Sequence, residues 1–221
     1  MAIKIQDYDK EKQKLSFVTD MPISLANAIR RSVLEIPVMA IDEVEIMKND
    51  SALYDEIVAH RLGLVPIKTT VSKETKFKLK EKGPKLVYSS DLSPSIGTDY
   101  KLPLTILDED QEIELVANAK LGKGIDHIKY SPGLLFYKHN LDDEVLDFVS
   151  IDEEGKIKFD EEELNASGLS EEQINKIKKT KESKELIFNV ESWKQIEVKE
   201  IFSKAIEALN KNLDELNKAV K

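Results

Sequence analysis

Few residues in this chain have the type and spacing that chemistry requires. The three histidines, His60, His127 and His139, stand far apart, and none shares a helical metal-binding spacing with another. There is no cysteine, which removes disulfides, thiol nucleophiles, cysteine-ligated zinc and iron–sulfur clusters together. Gly122 and Gly124 flank Lys123 in LGKGIDHIKYSPG, a faint suggestion of a phosphate loop. The third glycine and the following Lys-Ser/Thr pair are missing, and Pro132 would interrupt any following helix. A surface turn fits the segment better. The acidic runs LDED, LDDE and DEEE have no nucleotide motif beside them and read as solvated faces. No G-x-S-x-G elbow is present. No catalytic centre, metal site or cofactor site is expected.

One pair of residues resists a bland reading. Arg30 and Arg31 are adjacent in NAIRRSVLEIP, on a segment that must also bury Ile29, Val33 and Ile36. On a helix, neighbours point about 100° apart, from 3.6 residues per turn. One arginine can flank the core edge while the other projects outward. Two solvated arginines would satisfy the pattern equally well.

The elements that position this pair follow from periodicity. Ile3 and Ile5, then Leu15 and Phe17, alternate with polar residues around the charged turn DYDKEKQK, which predicts a β-hairpin with one buried face. A helix should follow, capped by Thr19 or Asp20, with Pro22 in its first turn, Leu25, Ile29, Val33 and Ile36 along one face, and Pro37 as its stop. VMAIDEVEIM reads as a strand with Val44 and Ile46 on one face. A second helix is expected in DSALYDEIVAHRLGLVPI, capped by Ser51, with Asp55 and Glu56 early and Gly63 at its exit. From Thr69 to Tyr137 alternating strands and Gly/Pro turns dominate. From Asp142 to Ser183 the chain becomes highly charged and poor in large apolar residues. A small helical appendage with a weak core is predicted there, with a capping box starting at Ser170. KELIFNVESW returns to strand, with Leu186, Phe188 and Val190 on one face. Last comes a long amphipathic helix striped by Ile201, Ala205, Leu209, Leu213, Leu216 and Val220 and widened by Phe202 and Ile206. It can cover its own sheet or meet a partner. Trp193, the single tryptophan, is expected in a core or an interface.

The 221 residues suffice for one large or two small domains. With 42 acidic against 33 basic side chains the formal charge is −9, so the surface as a whole repels phosphate backbones. Direct nucleic-acid binding is not expected. The N-terminus lacks a signal-peptide core and no apolar run approaches a membrane span, so a cytoplasmic protein is expected.

The segments NAIRRSVLEIPVMAID, AHRLGLVPI, LVANAKLGKGIDHIKYSP and FNVES, in this order before a terminal amphipathic helix, resemble the D-subunit family of archaeal DNA-directed RNA polymerase. That family is related to the third-largest eukaryotic polymerase II subunit and to the bacterial alpha-subunit N-terminal domain. The resemblance runs from about Ile3 to the C-terminus. Tyr130 stands where the family's G-x-G-x-x-H-x-K-W-S-P segment usually has tryptophan, and ESWKQI replaces the glycine that often follows the ES pair.

The resemblance implies an α+β fold. A discontinuous dimerisation domain would come from both chain ends (1–39 and 185–221), with a mostly β insert domain (40–141) and the charged appendage (142–184) between. Many members carry a ferredoxin-like cluster at the appendage's position, and this cysteine-free chain should bind none. The implied role is non-catalytic, within DNA-directed RNA polymerase. The chain would pair with the small subunit L and serve as the platform for subunits N and P and the two large catalytic subunits. Arg30 and Arg31 would face the large subunits, and Ile201, Ala205, Leu209, Leu213 and Leu216 would lie at the partner interface. Two alternatives remain at this stage: a homodimeric alpha-type assembly subunit, opposed by the lack of a linker and C-terminal DNA-binding domain, and an unrelated enzyme with a β-rich insert.

Overall fold

A computed structural model describes residues 2–69, 74–140, 148–151, 157–178 and 185–220. Strands β1 (Ile3–Asp9) and β2 (Lys14–Thr19) form the expected antiparallel hairpin. Its buried face begins only at β2. Ile3 and Ile5 share a face with Thr19 and Phe17 but are both more than half exposed, because β1 is the sheet's edge and no described element covers it. The turn residue Gln13 is buried and adopts φ 53°.

Helix α1 (Ile23–Ser32) starts after Pro22, later than a Thr19 or Asp20 cap would place it. Asp20 instead accepts the Ala2 N–H at 3.0 Å. The buried face is Ala26, Ile29 and Ser32, and Leu25 lies at its exposed edge. A single 3-10 turn, Val33–Glu35, ends the segment before Pro37.

Strand β3 (Val38–Asn49) serves two cores at once. Val38 and Ala40 point into the first core, Met39 and Ile41 into the second. Period-2 alternation makes this possible without a break in the strand. Val44 and Ile46 pack beside the second core on one face, as their spacing predicts. Helix α2 (Asp55–Gly63) follows, with Asp55 and Glu56 in its first turn. Ser51 does not cap it; its hydroxyl bonds Asn49 Oδ1 at 2.6 Å. The second core is completed by β4 (Glu74–Lys82), β5 (Lys85–Tyr88), β6 (Pro103–Leu107) and β7 (Glu112–Gly122), which form a three-stranded sheet β3-β7-β4 and a β5-β6 pair. Phe77, Leu79, Ile113 and Leu115 fill its centre.

Strand β8 (Gly133–His139) leaves this region. It falls within the insert boundaries expected from sequence, yet it pairs with β11 (Leu186–Ser192) and closes the sheet β1-β2-β11-β8. The reason is its inward face. Leu135 and Tyr137 pack with Phe188 in the first core.

Between β8 and β11, the described residues form an antiparallel pair, β9 (Val149–Ile151) with β10 (Ile157–Phe159), and two short helices, α3 (Glu161–Ala166) and α4 (Glu171–Lys178). The strand pair is an addition to the small helical appendage expected from the composition. The predicted capping box is present: Ser170 N–H and Oγ reach Gln173 Oε1 at 3.0 Å, and Gln173 N–H reaches back to Ser170 Oγ. Residues 142–147, 152–156 and 179–184 of the predicted appendage lie outside the described residues. Its core rests on Leu164 and Ile177 with Phe148, Val149, Phe159 and Leu169 around them. An apolar centre without thiolates does not fit an iron–sulfur cluster.

Helix α5 (Val198–Ala219) closes the fold, with 22 residues spanning roughly 33 Å. Its first-turn Val198 N–H, an orphan of any helix start, is satisfied by Gln13 Oε1 at 2.8 Å, while Gln13 Nε2 holds Glu197 at 3.1 Å. Phe202 meets Phe17 and Phe188 edge-on, at 4.9 and 5.7 Å between centroids, and those two rings stack at 5.2 Å. Removing the fully buried Phe188 ring should therefore cost about 3–5 kcal/mol. Urea unfolding of Phe188→Ala, with an unchanged denaturant slope, is the check.

Candidate functional site

Among the described residues, no cluster of His, Asp and Glu is placed to hold a metal ion, and no helix is long and apolar enough to cross a membrane. The surface that stands out is assembled from four separate stretches of chain. Arg30 and Arg31 lie in the last turn of α1, and both are exposed. Arg30 Nε and Nη2 bond Asn27 Oδ1 at 3.2 and 2.9 Å, one turn back. Among the described residues neither guanidinium meets a carboxylate. Both line a groove of about 610 Å³, with Leu34, Ile125, Ile128, Leu134 and Trp193 among its other walls and Asn212 of α5 at its side. All five of these apolar residues are exposed to solvent.

The groove's second wall is held by an ionic lock. Asp42 on β3 accepts from Lys129 Nζ at 2.7 Å and Tyr130 Oη at 2.9 Å, and Lys120 Nζ pairs with it at 2.5 Å. These donors, Lys120 first, hold its carboxyl far below the ordinary range against the opposing effect of burial. Burial and the Asp42 carboxylate push the Tyr130 phenol well above its usual value. Gly122 lets the Tyr130 ring approach, since a Cβ there would fall 2.6 Å from it. The chain then turns so that Lys123 pairs with Glu35 at 2.8 Å and Ile125 N–H donates to Leu34 O at 3.1 Å. The GKG segment is thus a brace for the 3-10 turn beside the arginines. His127 Nδ1 accepts the Lys129 N–H at 3.1 Å.

The terminal helix divides into two halves. Ile201 and Ala205 are fully buried in this chain's own core and present no surface to a neighbour. Leu209 is partly buried against the same core. Leu213 and Leu216 continue the stripe but are 53% and 61% exposed, and Val220 follows them into solvent. Of the residues expected at a partner interface, Arg30, Arg31, Leu213 and Leu216 are available in this structure; Ile201 and Ala205 act from within. Sequence reading missed Ile125, Ile128 and Leu134 as surface residues, and Asp42 as their organiser. Four apolar side chains left in water in one short region (Ile125, Ile128, Leu134, Trp193) would have been the signal, had the turn's path been known.

The profile of the RNA polymerase Rpb3/Rpb11 dimerisation domain matches residues 17–213. Three archaeal proteins named DNA-directed RNA polymerase subunit Rpo3 are similar along much or all of the chain. The Pyrococcus furiosus protein is 33% identical over 249 positions, covering 96% of this chain and 95% of its own length. The Methanocaldococcus jannaschii protein is 42% identical over 152 positions, covering 63% of this chain and 80% of its own length. The Archaeoglobus fulgidus protein is 27% identical over 266 positions, covering 100% of this chain and 98% of its own length. The chain belongs to the RNA polymerase Rpb3/Rpb11 dimerisation-domain family, in its archaeal Rpo3 branch, the D subunits.

Asp42 gives this site a pH signature. Its folded-state pKa lies below its unfolded value, so its contribution is complete above the ordinary carboxylate value near 3.8 and fades as pH falls through the folded value. Asp42→Asn should cost about 1–3 kcal/mol at pH 7. The gap to the parent protein should stay constant from about pH 7 to 5 and narrow below about pH 4, as read from urea midpoints across that range.

Proposed function

We propose that this chain is a non-catalytic assembly subunit: it pairs with the small polymerase subunit L, and the pair is the platform for subunits N and P and the two large catalytic subunits. The observation that carries the reading is the uncovered half of α5. Leu213, Leu216 and Val220 extend an apolar stripe beyond the core that the same helix closes. Burying an exposed leucine or valine is worth about 1.5–3 kcal/mol, so a stripe left in water points to a helix that meets another chain. Ile3 and Ile5 on the edge strand add apolar surface that no described element of this chain covers.

The division into domains follows the two cores. Strands β1, β2, β11 and β8 with α1 and α5 make the dimerisation unit; β3 to β7 with α2 make the insert; β9, β10, α3 and α4 make the appendage. On this reading Arg30 and Arg31 serve a different neighbour from the α5 stripe. Their guanidinium groups, which meet no carboxylate among the described residues, suit carboxylates of the large subunits.

Two experiments separate the surfaces. Leu213→Asp with Leu216→Asp should abolish co-purification with L while leaving the stability of the isolated chain within about 0.5 kcal/mol by urea unfolding, because both residues are exposed. Leu209→Asp would confuse folding with pairing, since Leu209 touches the core. Arg30→Ala with Arg31→Ala should leave the pair with L intact and prevent recruitment of the large subunits in reconstitution. A stable homodimer that ignores L, seen by size-exclusion chromatography with light scattering, would favour an alpha-type arrangement instead.

A further inference from the structure

Trp193 is poorly explained by the fold. It follows β11 directly, fixes its backbone by donating its N–H to Pro132 O at 3.0 Å, and remains 40% exposed in the groove beside the arginines. An indole is among the costliest groups to leave in water. The next residue holds it there. Lys194 adopts φ 65°, a left-handed conformation unfavourable for a side-chain-bearing residue, and is tied down by its N–H to Ser192 Oγ at 2.9 Å and by Nζ to Asp99 at 2.7 Å. The strained and doubly tethered Lys194 thus fixes Trp193 at the wall of the groove.

We propose that Trp193 is a specificity anchor, and that the groove takes an apolar segment of the large catalytic subunits carrying one or two carboxylates. This rests on the reading that the arginine face receives those subunits. The apolar part of the segment packs on Trp193, Ile125 and Ile128. The carboxylates meet Arg30 and Arg31, whose donors find no acid within the described chain. Both halves of the chemistry are needed to choose the occupant. A phosphate backbone would answer the arginines and leave the apolar wall wet. A basic helix would be repelled by the guanidinium groups.

The single tryptophan supplies its own probe. The full chain, made with 5-hydroxytryptophan at position 193 and paired with subunit L, can be excited beyond the absorption of ordinary tryptophan in unlabelled large subunits. Acrylamide quenching should fall severalfold on assembly with those subunits. Trp193→Ala should weaken that assembly by about tenfold or more, and Trp193→Phe should restore most of it, with pairing to L unchanged in both. If the large subunits join but quenching is unaltered, or if Trp193→Ala assembles with parental affinity, the anchor is refuted and the platform reading survives. If the parental chain paired with L recruits no large subunit, both are refuted.

Discussion

The structure depends on one non-local pairing. β2 and β11 lie side by side in the first sheet with Phe17 opposite Phe188, although some 170 residues separate them. Bringing such distant segments together costs loop-closure entropy, which grows only slowly with length, and the cost is met by concentrating aromatic and branched side chains at the meeting point. Phe17, Phe188 and Phe202 make that contact, one from each of three elements. Gln13 adds a polar clamp between the hairpin turn and the start of α5. Everything inserted between residues 19 and 186 hangs from this closure. The second core can therefore have its own sheet and helix without disturbing the first.

The link between the two cores is correspondingly stiff. β3 contributes alternate residues to both, so neither core can shift along the strand without dragging the other. Gln195 donates to Met39 O at 3.3 Å, Thr69 N–H reaches Gln195 O at 2.9 Å, and Met39 N–H reaches Thr69 Oγ1 at 3.2 Å. The Asp42 lock adds charge-assisted bonds on the other side of the junction. Together these contacts fix the distance and angle between the two cores.

Legibility in the sequence followed the range of the interactions. Alternation in KELIFNVES and the stripe of α5 report a local periodicity, and both elements appear with the expected faces. The Ser170 capping box is local too, and it is present. The errors lie where tertiary contacts decide. Ile3 and Ile5 alternate as a buried face should, but only a sheet order could reveal that β1 is an edge. Leu25 sits at helical spacing from Ile29, yet the buried face is centred on Ala26, Ile29 and Ser32 and leaves Leu25 at its edge. Ile201 and Ala205 are indistinguishable by pattern from Leu213 and Leu216; what separates them is where the sheet beneath the helix stops. The groove was invisible for the same reason, being built from the end of α1 and its 3-10 turn, the segment from β7 into β8, Trp193 after β11 and Asn212 of α5. Its arginines drew attention as adjacent cations on a short helix with one buried face, a pattern that two solvated side chains would satisfy equally well.

Charge is distributed in keeping with this division of labour. Residues 142–184 contain fourteen acidic and seven basic side chains, which accounts for most of the chain's net −9. The rest of the molecule is close to neutral, so its faces can approach partners without strong repulsion at long range. Against that background Arg30 and Arg31, which meet no carboxylate among the described residues, are a local positive feature rather than part of a basic surface. Arginine suits this position because its weakly hydrated, planar guanidinium keeps its charge and its donor geometry when water is excluded, where a lysine would lose more hydration for fewer fixed bonds. The apolar residues around it would supply that exclusion. An exposed lysine already paired within the chain, such as Lys80 with Glu114 at 2.7 Å, has little left to offer a neighbour. The two arginines are distinguished less by their charge than by how little of it the fold consumes.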